Sequence, residues 1–100
     1  MLKFSVLLVD DEREFVSTLA ERMEIRGIVP EVAFSGEQAL EILENSVPDV
    51  MVLDLGLPRR HGLEVLRDMR ARGDDTPVLV LTALGIYVAF IVSGILKAQH

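Results

Sequence analysis

Cysteine is absent from the chain, which excludes disulfides, zinc–thiolate sites and cysteine nucleophiles. Basic residues are scarce: 10 Lys and Arg stand against 16 Asp and Glu, a net charge of −6. A nucleic-acid surface needs a basic stripe to neutralise phosphates, so no direct nucleic-acid partner is expected. A long apolar leader is also lacking. After Met1-Leu2-Lys3-Phe4 the apolar run Ser5 to Val9 stops at Asp10 and Asp11, too short for a signal peptide and without a small-residue cleavage site. The cytoplasm is the expected location. What is present is the composition of a folded globular chain, half apolar and about a quarter charged, over 100 residues. That length suits a single domain with one core.

The apolar runs fall into two kinds. Ser5–Val9, Val50–Leu53 and Val78–Leu81 are short and do not alternate with polar residues, the mark of strands buried on both faces in a parallel sheet. Val29–Ala33 reads as a second, weaker strand. Between them lie helical stripes. Asp11 with Glu14 is predicted to cap a helix carrying Phe15, Val16, Leu19, Ala20 and Met23, ended by Gly27. Ser35 to Gln38 repeats the capping pattern before Ala39, Leu40 and Leu43. Gly56, Pro58 and Gly62 mark a loop, followed by a stripe of Leu63, Leu66 and Met69 with Gly73 as its C-cap. Strand and helix alternate with short connections, which predicts an α/β fold, a parallel sheet with helices on both faces.

In such sheets ligands bind beyond the carboxyl ends of the strands. Asp10 and Asp11 end the first strand, Asp54 the third and Thr82 the fourth. Three crowded carboxylates repel, so one is protonated or a cation sits among them, and oxygen ligands favour Mg²⁺ or Ca²⁺. Mg²⁺ suits an incomplete cage completed by water and phosphate oxygens. A carboxylate can also be phosphorylated as an acyl phosphate, and Asp54, followed by Gly56, is the best placed. Thr82 can hydrogen-bond a phosphoryl oxygen, with room beside it at Ala83. Taken singly, Asp11 reads as a helix cap, Asp54 as a turn former and Thr82 as a β-branched strand residue. Their conjunction points to a site.

Leu7-Leu8-Val9-Asp10-Asp11-Glu12, Asp49-Val50-Met51-Val52-Leu53-Asp54-Leu55-Gly56-Leu57-Pro58, Gly62-Leu63 and Val80-Leu81-Thr82-Ala83 resemble the receiver domain of two-component response regulators. The match runs from about residue 4 to residue 83. The resemblance implies a flavodoxin-like fold and phosphorylation of Asp54 by a histidine kinase or phosphotransfer protein. It also implies Mg²⁺ held by Asp11 and Asp54 directly, by Asp10 through water and by the backbone carbonyl of Gly56. Thr82 would be the switch hydroxyl.

The resemblance covers residues 1–83 as an α/β core and leaves residues 84–100 as a divergent apolar tail. Only 17 residues follow Ala83, too few for the further helix, strand and helix of a complete receiver. Lys97 is the one lysine available for a phosphate-binding role. It lies 15 residues after Thr82 and precedes Ala98 rather than proline. From Val78 to Leu96 no residue is charged, yet Leu84–Leu96 as a helix would span only about 20 Å of a roughly 30 Å hydrocarbon core. A membrane anchor is not expected. A parallel fifth strand needs a crossover of a dozen or more residues, so Ile86–Val92 is expected to form an apolar helix on the sheet or to pair with another chain. Either would leave the fourth strand as an edge, and a homo-oligomeric contact through residues 84–100 is expected. His61, beside Arg59 and Arg60, reads as solvated surface.

The leading function is thus a phosphoryl-accepting receiver rather than an enzyme with its own substrate. The alternative is a degenerate receiver that associates without switching. A Mg²⁺-dependent phosphohydrolase is disfavoured, because Gly56 stands where such enzymes place a second acid.

Overall fold

The computed structural model describes residues 3–57, 62–82 and 85–89, with Thr82 and 85–89 described by their backbone. Five strands and three helices follow one another as β1 (Ser5–Val9), α1 (Arg13–Ile25), β2 (Val29–Ala33), α2 (Gly36–Asn45), β3 (Val50–Asp54), α3 (Gly62–Ala71), β4 (Val78–Thr82) and β5 (Gly85–Ala89). The sheet order is β2-β1-β3-β4-β5. The first four strands run parallel and β5 runs antiparallel to β4.

Non-alternating strands bury both faces, and the two faces carry different helices. Leu7, Val9, Met51, Leu53, Val78 and Val80 pack with Ala39 and Leu40 of α2 and with Val65, Leu66 and Met69 of α3. Val6 and Leu8 face the other way, against Val16 and Ala20 of α1. Each large aliphatic side chain so buried stabilises the fold by about 1.5–3 kcal/mol relative to exposure. The helical stripes are narrower than their sequence pattern suggests. Phe15 is 48% exposed and Leu63 46%, while Val65 between the expected positions is fully buried.

Helix ends show which capping signals act. Ser35 Oγ accepts from the Gln38 amide at 3.1 Å, and Gln38 Oε1 accepts from the Phe34 amide at 2.7 Å, one residue earlier than the N-cap. The Asp11 cap does not form. Glu12 is the N-cap of α1 and makes no side-chain cap bond. Asp11 instead stands with the other site carboxylates, as described below. Gly27 and Gly73 end α1 and α3 at φ +80° and +81°, the left-handed conformation that glycine adopts without strain.

β5 departs from the expected tail. The crossover requirement applies only to parallel strands, whereas two residues suffice to join antiparallel ones. Thr82 pairs with Gly85 and Val78 with Ala89, so β4 is an inner strand. Chain direction then matters: β5 starts at the carboxyl edge of β4 and ends at the opposite edge. Pro58, His61, Ala83, Lys97 and the rest of the tail from 90 to 100 lie outside the described residues. Among the described residues no helix is long and apolar enough to cross a membrane.

Candidate metal centre

The register of two strands builds the site. β1 pairs with β3 through Val6↔Val50 to Val9↔Leu53, so the residues that follow, Asp10 and Asp54, reach the carboxyl edge at one level. That register is clasped at the far edge. The Ser5 amide and hydroxyl donate to Asp49 Oδ2 at 2.7 and 3.2 Å, and the Asp49 amide donates back to the Ser5 carbonyl at 2.9 Å. A slip by one residue would turn Asp10 and Asp54 to opposite levels and invert both faces.

Asp10, Asp11 and Asp54 each present a carboxylate oxygen within 4.8 Å of the others. Asp10 is 9% exposed, Asp54 half-buried and Asp11 exposed. Two local bonds orient the cluster. Asp10 Oδ1 accepts from the Glu12 amide at 2.9 Å, and Asp54 Oδ1 accepts from the Gly56 amide at 2.9 Å. Asp54 is therefore a turn former, as its position alone suggests, and a member of the cluster as well. Burial pushes the Asp10 carboxyl above its ordinary value against the opposing Glu12 amide, and the charges of Asp54 and Asp11 push it further. A cation bound among the three acids would relieve the strain on a group held partly against ionisation.

Opposite ligands of one Mg²⁺ lie about 4.2 Å apart, and those of Ca²⁺ up to about 5.2 Å. The 4.8 Å span fits either ion once a water or a small side-chain adjustment is allowed. Ligand number separates them: Ca²⁺ takes about 6–8 oxygens, whereas Mg²⁺ commonly takes one or two carboxylates and keeps its waters. Three carboxylates offering one oxygen each fall short of the Ca²⁺ number and leave room for waters, which is closer to the second pattern.

Two contributions were not legible in the sequence as site features. Gly62 opens α3 directly behind the Asp54 turn, where an added Cβ would lie 2.7 Å from Leu55 Cα and 2.8 Å from the Asp54 carbonyl oxygen. Its backbone must therefore pass where no side chain fits. Arg13, at the start of α1, lies 4.2 Å over the Phe34 ring and ties the loop after β1 to the loop after β2. Thr82 ends β4 one residue beyond Leu81, which is paired with Asp54. It therefore reaches the same edge.

The family model for the response regulator receiver domain matches residues 6–94. The chain belongs to the response regulator receiver family. This receiver is 45% identical over 78 residues to the response regulator MprA of Mycobacterium ulcerans, covering 78% of this chain and 34% of that protein. The chain thus spans about a third of the length of the curated relatives it matches. The receiver domain of Francisella response regulator 1452 superposes with a TM-score of 0.77 at 33% identity, over 82% of this chain and 68% of that one. Thermotoga maritima TrrA, a response regulator solved in complex with Mg²⁺–BeF, superposes with a TM-score of 0.72 at 32% identity, over 80% and 70%. The parallel α/β sheet expected from the strand–helix alternation and the receiver fold implied by the resemblance are both observed.

Proposed function

We propose that this receiver accepts a phosphoryl group on Asp54 in a Mg²⁺-dependent reaction, as a signalling module with no substrate of its own to turn over. The observation that carries this reading is the convergence of Asp10, Asp11 and Asp54 at the carboxyl edge. The Mg²⁺–BeF complex of TrrA supports the same assignment. A carboxylate oxygen of Asp54 attacks the donor phosphorus, the bond from phosphorus to the donor atom breaks, and its electron pair leaves with the donor. The donor is a phosphohistidine on a histidine kinase or phosphotransfer protein, acting in the cytoplasm. Asp11 and Asp54 would hold the ion, with Asp10 and the Gly56 carbonyl completing the set of oxygen donors. Bound Mg²⁺ neutralises charge on the phosphoryl oxygens. Thr82 receives a phosphoryl oxygen beside Ala83.

Intact-mass measurement after incubation with acetyl phosphate and Mg²⁺ tests this. The expected result is one added phosphoryl group that is lost in Asp54→Asn and without Mg²⁺. No addition, or equal addition in Asp54→Asn, overturns the reading.

One observation favours a second reading, a receiver that does not switch. β5 runs away from the acidic edge, ending opposite Val78, so the strand itself delivers no lysine to the phosphoryl group. Lys97 lies outside the described residues. Amide chemical shifts of Thr82 and its neighbours separate the readings: a switching receiver moves them on phosphorylation, whereas the alternative accepts the group or fails to, and leaves them in place.

A further inference from the structure

The two outer strands of the sheet are built differently. β2, at one edge, is Val29-Pro30-Glu31-Val32-Ala33. A proline offers no N–H and an acidic residue repels a second copy, both familiar protections of an exposed edge. β5, at the other edge, is Gly85-Ile86-Tyr87-Val88-Ala89 and has neither. No charged residue occurs from Thr76 to Leu96, and no proline after Pro77. Among the described residues nothing pairs with its outer side.

The backbone of β5 sets which groups face outward. Thr82 and Gly85 close a two-residue connection, and such a closing pair exchanges both ladder hydrogen bonds. Alternate pairs then do the same, which assigns Val80–Tyr87 and Val78–Ala89 to the inner ladder. The amides and carbonyls of Ile86 and Val88 are left on the outer edge.

We propose that this edge binds a second copy of the chain, β5 against β5 in antiparallel register, about a two-fold axis at Tyr87. Ile86 of one copy stands opposite Val88 of the other, and each such pair exchanges two N–H···O bonds. The two five-stranded sheets become one continuous sheet. Charge selects this approach, because copies carrying −6 each repel over most of their surfaces and meet most easily along an uncharged strand. The contact is isologous and closes on itself. Growth beyond a dimer stops because the only other outer strand of the described sheet holds Pro30 and Glu31. The inference rests on the fold and is independent of phosphorylation at Asp54.

Sedimentation equilibrium of the full chain across the micromolar range tests the contact. The mass should rise with concentration from 11.1 kDa to twice that value and stop. A monomer throughout overturns the proposal, and growth past the dimer overturns its closed symmetry. Amide hydrogen exchange at the same concentrations tests the surface. Ile86 and Val88 should gain tenfold or more protection on dimerisation while Tyr87 gains little. Concentration-dependent protection elsewhere, with none at Ile86 and Val88, overturns the assignment to β5. Val88→Pro deletes an outward amide without removing an inner bond and should yield a monomer with an unchanged circular dichroism spectrum. If that variant misfolds, the exchange experiment on the unaltered chain still decides.

Discussion

At the scale of single residues, Asp10 and Gly62 are constrained for opposite reasons. Asp10 is short of positive charge. Burial, and then the neighbouring acids, raise its pKa above 3.8 in the folded chain, so the folded state binds the proton more readily than the unfolded one. Its contribution is therefore most favourable below the ordinary carboxyl value and is lost as pH rises through the folded value. Asp10→Asn keeps the acceptor for the Glu12 amide and removes the charge. Without Mg²⁺ it should melt higher than the parent at neutral pH, by a few tenths to about 1 kcal/mol because solvent screens the cluster. The gap should close on acidification, and Mg²⁺ should stabilise the parent more than the variant. Thermal melts across pH, with and without the ion, measure all three. Gly62 is short of space. Gly62→Ala should cost about 1–3 kcal/mol by urea denaturation and slow phosphoryl incorporation, since the clash is with the backbone that carries Asp54. Gly56→Ala meets only Asp54 Oδ1 at 3.4 Å and should cost less. The three acids were legible because each ends an apolar run at the same edge. The role of Gly62 was not, because the close approach arises only when α3 docks behind the turn. The Asp11 cap was misread for a related reason: a capping rule weighs the local tetrapeptide, whereas Asp11 is placed beside Asp54, a residue far along the chain.

At the scale of elements, the junction between α3 and β4 depends on one buried cation. Arg70 is 5% exposed and donates from Nη1 to the Asp74 carbonyl at 2.6 Å and from Nη2 to the Thr76 carbonyl at 2.9 Å. Burial lowers its pKa, while Asp75 and Asp74 oppose the shift. Asp74 Oδ1 in turn accepts from the Thr76 amide and hydroxyl at 3.0 and 2.6 Å, so one loop is held from both sides. Arg70→Met should destabilise the fold by about 2–3 kcal/mol, the cost of stranding carbonyls near the core. Equilibrium denaturation measures it. No sequence pattern announced this, since Arg70 reads as the polar side of a helix. The elements themselves were largely legible, because apolar runs without alternation and helical stripes differ in period. The exception was β5, where weighing only a parallel partner excluded the hairpin that two intervening residues favour.

At the scale of the whole molecule, binding at the carboxyl edge is coupled to folding, because the cluster exists only when β1 and β3 are in register. Mg²⁺ should stabilise the folded chain in proportion to the logarithm of its concentration once that exceeds Kd, by about 2.7 kcal/mol at a hundredfold excess. Calorimetry should find that response abolished in Asp54→Asn. The parallel run of the first four strands followed from alternation, whereas their order did not, and the turn of β5 depended on a connection whose length, rather than composition, carried the information. That hairpin also sets a clock. Thr82 and Gly85 are three positions apart in sequence, whereas Val6 must find Val50, and closing the longer loop is entropically slower. A hairpin of this kind forms in roughly 1–10 μs. Loop closure thus favours pairing of the strand proposed to join two copies ahead of the parallel sheet around it. Newly made chains at high local concentration would meet through β5 while still assembling, so this receiver's yield should depend on how fast β1 and β3 close.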